Sequence, residues 1–376
     1  MSRKLDIIIG SAVGCLPLMT ELYRTGRQVK LIGHSATQAA AVLCNSFEEI
    51  SYHDHNSYFD TLDKAIGESN GSMVYPGPHD LCFRVFVQYM ASRGLLPSKD
   101  VELAEALHNK RLFRDRIQFI SSAHTPMTYR HEDLDDLKDL DFPVLFKPDH
   151  AGGGRGIVKL ASNAELNDFR SSLSEDKSSG VYEEFLEGEL YSVSLWQQNG
   201  KVLSFYGEKE FIDKDKFKVN ASITSNAIQK HLKSFNIPDM LAEILLEFGI
   251  DNGFSHTQIL LKTNGDWKIV ECTLRLPGDL YPLNAQNFGG LPYCQMYLHS
   301  FVDKKLELFK FPKMATFPDD LTYGRAMRDK DAVLSKNVRP FVNYNSHSKN
   351  VSDSYQIYYF KLPEMKSLDV PINLFD

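Results

Sequence analysis

The chain has 376 residues, of which 43% are hydrophobic and 24% are charged, a balance typical of globular proteins with a large buried core. No apolar run approaches the roughly 20 residues that a membrane-spanning helix needs, so we expect no membrane partner. The net charge of −7 argues against a protein that binds nucleic acids through bulk positive charge.

The five cysteines are dispersed and include no Cys-x-x-Cys pair. They are Cys15, Cys44, Cys82, Cys272 and Cys294. An odd, scattered set argues against a disulfide framework or a structural zinc and favours a reducing, cytoplasmic location. Two alternatives stay open: a reactive thiol at Cys272, and an export signal in place of the buried strand and turn expected at Leu5–Gly14.

The first hundred residues alternate β-rich runs with helical patterns. Strands are predicted at Leu5–Ile9, Val29–Ile32, Glu49–Tyr52 and Ser72–Tyr75, and a helix at Phe83–Ser92. This alternation predicts a small parallel α/β domain. Gly10–Gly14 lacks the G-x-G-x-x-G fingerprint, so a tight turn is favoured over a dinucleotide site. Pro76–Asp80 follows a strand and is either a substrate contact or a simple loop.

From about residue 141 the pattern changes to antiparallel β-structure with flanking helices. Strands are predicted at 141–148 and Ile157–Leu160, hairpins at Tyr191–Gln197 with Lys201–Tyr206 and at Ser255–Leu261 with Lys268–Leu274, and a helix at Met240–Phe248 before Gly249. Each hairpin has Asn-Gly between its strands, which is the strongest short-range hairpin signal. We therefore expect a second, α+β unit after the α/β domain.

A glycine-rich loop lies between the two strands near residue 150. Four glycines at Gly152–Gly154 and Gly156 allow backbone N–H groups to approach an anion closely. The loop is not a Walker motif, because no Gly-Lys-Ser/Thr follows and the next element is a strand. Lys147 precedes the loop, which favours a phosphate-covering function over a merely mobile loop.

The hairpin near residue 264 places an acid opposite an amide. If Asn264-Gly265 forms a two-residue turn, Gln258 lies opposite Glu271 and His256 lies opposite Thr273. Opposed residues share a face, with Cβ atoms about 5 Å apart. An amide oxygen and a carboxylate at this distance suit one Mg²⁺ ion, which prefers oxygen ligands. The alternative is a polar hairpin face in water.

A short strand at Val181–Leu186 ends in two acids and offers backbone groups to a flat, polar-edged ring such as adenine; an exposed edge strand would have the same pattern.

Together and in this order, over about residues 1–300, these motifs resemble the ATP-grasp superfamily. That superfamily includes biotin carboxylase, carbamoyl-phosphate synthetase, D-alanine–D-alanine ligase and the L-amino-acid ligases. The run from Arg275 to Asp279 is similar to the Arg-x-x-Gly-Asp stretch of the amino-acid ligases.

The resemblance implies a role for each matching residue. The implied nucleotide-binding residues are the lysines Lys110 and Lys147, the loop glycines Gly152, Gly153 and Gly154, and the adenine-hinge residues Glu183, Glu184 and Leu186. Leu190 stands where a ribose-binding Glu is common, and Glu189 is the expected substitute. The implied metal ligands are Glu271 and Gln258, and Arg275 resembles the arginine that steadies the transferred phosphoryl group. Thr273 replaces the usual Asn ligand, which puts a second magnesium in doubt.

The implied fold class is α/β plus α+β, with two α+β subdomains that clasp ATP. We expect an N-terminal parallel α/β (pre-ATP-grasp) domain at residues 1–105 and an ATP-grasp domain at 106–300 with a lid at about 140–190. A C-terminal α+β part at 301–376 would complete the core. A homodimer is the default oligomeric expectation.

The implied activity is an ATP-dependent carboxylate–amine ligase that forms an acyl phosphate and releases ADP and phosphate. The expected cofactors are ATP and one or two Mg²⁺ ions, for which Mn²⁺ can substitute, and the substrates are a small carboxylate and an amine, one of them an amino acid. Three alternatives remain: a bicarbonate-using carboxylase or carbamoyl-phosphate type enzyme, a nucleotide-binding protein that has lost catalysis, and a dinucleotide oxidoreductase.

Overall fold

Three β-sheets organise the chain in the computed structural model, which describes residues 4–68, 72–134, 141–150, 152–173, 179–213, 217–302, 312–318, 321–329, 340–345 and 355–363. Within these residues no helix is long and apolar enough to cross a membrane. Parallel and antiparallel sheets occur in separate parts of the chain, as the predicted α/β plus α+β class requires.

The first sheet is parallel, with strand order β3-β2-β1-β4. Its strands are β1 Leu5–Ile9, β2 Gln28–Gly33, β3 Ser46–Glu49 and β4 Val74–Pro76. The predicted strand at Glu49–Tyr52 is wrong, because β3 ends where that prediction begins. Ile7, Ile8 and Ile9 are fully buried, since helices cover both faces of this sheet and every position of the central strand faces a core.

Five helices accompany the first sheet. They are α1 Leu16–Arg24, α2 Ala39–Leu43, α3 His55–Gly67, α4 Asp80–Ser92 and α5 Ser98–His108. The helix predicted to begin at Phe83 begins at Asp80, because the His79 side chain accepts a hydrogen bond from the backbone N–H of Leu81 and caps the helix. This earlier start places Asp80 at the carboxyl edge of the sheet.

A small antiparallel sheet forms the middle of the chain, with order β5-β8-β6-β7. Its strands are β5 Thr128–Tyr129, β6 Val144–Pro148, β7 Val158–Leu160 and β8 Gly180–Glu184, flanked by α6 Lys110–Ile120 and α7 Asn163–Ser172. β8 pairs on both sides, so the alternative of an exposed edge strand at residues 181–184 is wrong. The glycine-rich loop connects β6 to β7 at the open end of this sheet.

The largest sheet has eight strands in the order β13-β12-β9-β10-β11-β14-β16-β15. The strands are β9 Glu189–Gln198, β10 Lys201–Asp213, β11 Lys218–Thr224, β12 Asn252–Leu261, β13 Trp267–Thr273, β14 Leu321–Asp329, β15 Pro340–Asn345 and β16 Tyr355–Pro363. The accompanying helices are α8 Asn226–Ser234, α9 Ile237–Phe248, α10 Pro282–Asn287 and α11 Tyr293–Val302. α5, α6, α8 and α9 contribute buried side chains to the core on one face of this sheet, which leaves part of the opposite face to line a cleft.

The hairpin of β12 and β13 has the predicted pairing but not the predicted turn. Gln258 lies opposite Glu271, as expected. The connection is longer than two residues, because the N–H of Lys262 donates to the carbonyl of Asp266 (2.8 Å) and closes a loop containing Asn264-Gly265. A β-bulge opposite Gln258 and Ile259 shifts the register by one residue and restores the predicted pairing.

Candidate active site

A cleft of about 660 Å³ lies between the parallel sheet, the small sheet and the open face of the large sheet. The first wall is the loop edge around Gly14 and Pro78–Asp80, and the second is the small sheet with its glycine loop. The floor is formed by β10, β12 and β13. Ligand sites in α/β proteins commonly lie where such layers meet.

One end of the cleft carries the paired acid and amide of the β12–β13 hairpin. Glu271 is exposed to the cleft, and the Gln258 side chain donates from Nε2 to the Glu210 carboxylate at 2.6 Å. Because the amide nitrogen is held by Glu210, the amide oxygen is the part of Gln258 that remains to bind a cation. The donor set at this end of the cleft therefore consists of oxygen atoms, which fits magnesium.

No cluster of three or more His, Cys, Asp or Glu side chains that would hold a metal occurs among the described residues. Two protein ligands nevertheless fit magnesium, which commonly takes one or two carboxylates and completes its shell with phosphate oxygens and water. The Thr273 hydroxyl accepts a hydrogen bond from the backbone N–H of Arg275 (3.4 Å), so it stabilises the backbone where β13 ends.

A buried carboxylate, Glu183 on β8, holds Lys147 in the cleft. Lys147 donates from Nζ to Glu183 at 2.7 Å, and Arg114 on α6 donates from Nε to the same carboxylate at 2.7 Å. Burial would raise the pKa of Glu183, but the two cations lower it to about 2. The carboxylate is therefore charged at neutral pH and fixes the position of the lysine.

Arg114 also reaches the large sheet. It donates to the backbone carbonyls of Ile269 (2.9 Å) and Val270 (2.7 Å), immediately before Glu271 and beside the β-bulge. A single guanidinium thus joins β8, which carries Glu183, to β13, which carries Glu271. Its planar fork of donors suits such a three-way connection.

The glycine loop and Lys110 both line the cleft. Lys110 is the first residue of α6, and its backbone N–H donates to the carbonyl of Asp149 (3.1 Å), next to the loop. Burial lowers the pKa of Lys110. Gly153 and Gly154 adopt φ values of 65° and 77°, which L side chains rarely do, and a Cβ at Gly152 would overlap the Asp80 carboxylate.

Arg275 bridges the large sheet and the N-terminal layer. It donates from Nε to Asp80 Oδ1 at 2.8 Å and from Nη1 to the carbonyl of Pro78 at 3.2 Å. Burial would raise the pKa of Asp80, but the adjacent Arg275 guanidinium lowers it far below its usual range. The arginine is therefore held rigidly at the end of the cleft where Glu271 lies.

The other end of the cleft is an apolar slot beside the expected adenine hinge. Glu184 is tied to Met127 by two hydrogen bonds, one to its side chain (2.9 Å) and one from its backbone N–H (3.0 Å). The slot is lined by Leu145, Ile157, Leu186, Leu190, Leu260 and Val270. Its apolar walls suit a flat aromatic ring.

The floor behind Gln258 and Glu271 is acidic. Glu210 is buried, and burial raises its pKa to about 7. Glu208, two residues earlier on β10, faces Arg325 at 3.6 Å. His256 accepts from or donates to the Ser194 hydroxyl at 2.9 Å, and burial lowers its pKa to about 3, so its ring is neutral.

Eleven of the twelve predicted site residues line this one cleft: Lys110, Lys147, Gly152, Gly153, Gly154, Glu183, Glu184, Leu186, Gln258, Glu271 and Arg275. Glu189 is not among the lining residues. Its carboxylate pairs with Lys209 and accepts from the Tyr191 hydroxyl at 2.8 Å, on the opposite face of β9 from Leu190. The ribose contact expected of Glu189 thus has no support from its position.

Sequence reasoning missed Arg114, Glu210 and Arg325. Arg114 lies four residues after Lys110 on the same helix, so both residues lie on one helix face, and this spacing could have identified Arg114 from the sequence. Glu210 was missed because the predicted strand stopped at Tyr206, whereas β10 continues to Asp213. The β-pattern continues through Lys209 and Phe211, and it would have placed Glu208 and Glu210 on one face.

Comparison with known proteins identifies this architecture. Residues 107–259 match the family model of the ATP-grasp domain. No curated protein sequence is similar enough to match the chain. The L-amino acid ligase from Bacillus licheniformis is 18% identical, with a TM-score of 0.71 over 96% of this chain and 94% of that one.

Two further solved structures have the same fold. Phosphoribosylglycinamide synthetase from Anaerococcus prevotii is 13% identical, with a TM-score of 0.68 over 96% of this chain and 94% of that one. The biotin carboxylase domain of Hydrogenobacter thermophilus 2-oxoglutarate carboxylase is 12% identical, with a TM-score of 0.72 over 96% and 87%. The class expected from the sequence is confirmed at the level of domain and fold: the chain contains an ATP-grasp domain, the unit of the ATP-grasp ligases, and has the ATP-grasp fold along almost its whole length.

Proposed function

We propose that the chain is an ATP- and magnesium-dependent ligase that joins a carboxylate to an amine, with an amino acid as one substrate. The observation that carries this proposal is the convergence of Lys147, Arg275 and the Gln258–Glu271 pair at one end of a cleft whose other end is apolar. A carboxylate and a phosphate repel each other, so a site that unites them needs fixed positive charge.

Each group then has a defined task. ATP with magnesium supplies the phosphoryl group that converts the carboxylate into an acyl phosphate and leaves ADP. The amine nitrogen forms a bond to the acyl carbon, phosphate departs and the amine loses a proton. Lys147 and Arg275 balance the negative charge of the phosphate and carboxylate, while the glycine loop excludes water that would hydrolyse the acyl phosphate.

The nucleotide has room in the orientation that the resemblance implies. The adenine ring would lie in the apolar slot against Leu186, and the phosphates would extend toward Lys147 and the glycine loop. Gln258 and Glu271 would hold the magnesium ion through their side-chain oxygens. Lys147 is pre-positioned by Glu183, so it loses little freedom when it binds a phosphate.

The acidic floor favours an amine-bearing substrate over bicarbonate. Glu208 and Glu210 lie beside Arg325, so the floor has two acids for one cation. A small anion would meet repulsion there, whereas a zwitterion would find a partner for each charge. The likeness to an L-amino acid ligase is of the fold and is compatible with the same choice.

We also retain as proposals the domain limits at residues 105 and 300, a homodimer and a cytoplasmic location. The eight-stranded sheet includes β14–β16, which supports a C-terminal part that completes the core. Limited proteolysis near the two limits and light scattering of the purified chain would test the first two.

The test is phosphate and ADP release from ATP and magnesium in the presence of pools of amino acids and other carboxylates. Substrate-dependent release that Glu271→Ala abolishes, and that the exposed-surface control Glu102→Ala retains, is the expected result. ATP binding without turnover in every pool would favour a protein that has lost catalysis. Failure to bind ATP at all would overturn the proposal.

A further inference from the structure

A second cavity, which we call the side chamber, opens beside the cleft. It has a volume of about 450 Å³ and lies among the starts of α4 and α6, the end of α5 and the glycine loop. Asp80, Lys110, Glu271 and Arg275 line both cavities, so the side chamber shares a wall with the proposed reaction centre. The chamber is large enough for a small metabolite.

A guanidinium nitrogen that is buried without a hydrogen bond among the described residues lies at this chamber. Arg84 lines it from α4, one helical turn after Asp80, and its Nε atom is buried without a hydrogen bond among the described residues. A buried donor without an acceptor is costly, so such groups normally have a ligand. A carboxylate is the ligand whose two oxygens match the guanidinium fork.

A second polar position in the chamber lacks a donor. The His108 Nδ1 atom lies 2.7 Å from the carbonyl of Ala104, which only accepts, so Nδ1 carries the proton. Burial lowers the pKa of His108, and Nε2 therefore presents a lone pair. That lone pair is buried without a hydrogen bond and faces Asp80 Oδ1 at 3.7 Å.

Two acceptors this close to each other need a donor group that both can reach. The Arg275 guanidinium contacts Asp80 Oδ1 at 2.8 Å. An ammonium group has three donors in a compact tetrahedron, so two of its N–H groups can reach the carboxylate and the imidazole together from the chamber. The remaining walls of the chamber include the apolar side chains of Leu81, Leu107 and Phe113.

We propose that the side chamber binds the amine substrate as an α-amino acid. Arg84 binds its carboxylate, Asp80 and His108 bind its ammonium group, and the apolar wall receives its side chain. Asp80 and Arg84 are four residues apart on one helix, a rise of about 6 Å that a zwitterion spans with the reach of the arginine side chain. The assignment of this ligand as the amine substrate rests on the proposed ligase function.

The position explains how the amine would reach the acyl group. Asp80 contacts Arg275, so an ammonium group held by Asp80 lies next to the arginine expected to steady the phosphoryl group. The ammonium group would give one proton to the neutral Nε2 of His108, and the resulting amine would reach the acyl carbon from the side chamber while the nucleotide occupies the cleft.

Binding measurements on the full chain with magnesium and a non-hydrolysable ATP analogue test the proposal. The probes are glycine, L-alanine, L-leucine and L-phenylalanine, together with isopentylamine and 4-methylpentanoate, which lack the carboxylate and the ammonium group of leucine. We expect at least one apolar amino acid to bind, and leucine to bind about tenfold or more tightly than either analogue, which corresponds to about 1.4 kcal/mol.

Three variants assign the ends of the ligand. Arg84→Met should remove the preference for leucine over isopentylamine, and Arg84→Lys should restore part of it. His108→Phe, which keeps the stacking on Phe83, should reduce the preference for leucine over 4-methylpentanoate. The affinity for the ATP analogue should change less than twofold in each variant, or about 0.4 kcal/mol.

Several results would overturn the proposal. They are the absence of binding by all four amino acids, a leucine preference that survives Arg84→Met, and a loss of nucleotide affinity in that variant. Failure of the ligase function has a different signature: amino acids would bind with the expected dependence on Arg84, but no ADP would form. Amino-acid-dependent ADP formation that Arg84→Met leaves unchanged would instead support the ligase proposal and refute the assignment of the amine to the side chamber.

Discussion

The connection made by Arg114 predicts a coupled loss of stability and metal binding. Arg114→Met would leave the Glu183 carboxylate with Lys147 alone and remove a donor from each of the carbonyls of Ile269 and Val270. The arginine side chain is 3% exposed and the carboxylate 1%, so water cannot replace the lost partner. Removal of one partner of a buried pair typically costs about 3–5 kcal/mol.

This cost should appear as a lower melting temperature. At ~2.1 cal/mol/K of unfolding entropy per residue, cooperative unfolding of 376 residues gives a decrease of about 5 °C. The bulge beside Glu271 also loses its anchor, so the magnesium concentration for half-saturation should rise. Differential scanning calorimetry and a magnesium titration of ADP release measure the two effects.

The neighbouring variant Arg116→Met is the matched control, because Arg116 lies on the same helix and only stacks over Phe248 (4.7 Å). It should cost about 0.5–1 kcal/mol. A single Arg114→Met variant with the stability of Arg116→Met would refute the reasoning.

Three other predictions follow from individual contacts. Gly152→Ala should weaken ATP-analogue binding about tenfold (~1.4 kcal/mol), because its Cβ overlaps Asp80, whereas Gly67→Ala, which meets nothing, should not; equal affinities in a fluorescence titration would contradict this. Because burial raises the pKa of Glu210 from 4.5 to about 7, the folded chain binds more protons in that window and stability falls as pH rises through it; Glu210→Gln should flatten the melting temperature between pH 5 and 8, and an unchanged slope would refute it. Cys272 is buried and burial raises its thiol pKa to about 12, so thiol reagents should label it only on unfolding, and rapid labelling of the folded chain would restore the reactive-thiol alternative.

Local sequence signals predicted much of the framework. The apolar run at Leu5–Ile9 and the Asn-Gly dipeptides identified strands and hairpins, because hydrophobic periodicity and turn chemistry act over a few residues. The pairing of Gln258 with Glu271 was also predicted correctly, although the supposed two-residue turn was wrong. Two register errors cancelled there: the longer loop and the bulge.

The connections that organise the site could not be predicted in this way. Arg114 and Glu183 are 69 residues apart, and Asp80 and Arg275 are 195 apart. Such contacts depend on how three sheets pack, which no local pattern specifies. The exception is Glu210, whose place on the cleft face followed from simple alternation once β10 was extended past Tyr206.

The bulge on β13 has a consequence for how this hairpin tolerates insertions and deletions. The loop at Lys262–Asp266 and the extra residue opposite Gln258 and Ile259 are complementary, because the loop shifts the strand pairing by one residue and the bulge shifts it back. Removal of one loop residue with the bulge retained would turn Glu271 to the helix-packed face, since a shift of one residue reverses every side chain of a strand. Loss of the bulge, so that Val270 pairs with Ile259, would absorb that shift and keep Glu271 opposite Gln258, so the bulge allows this hairpin to lose one loop residue.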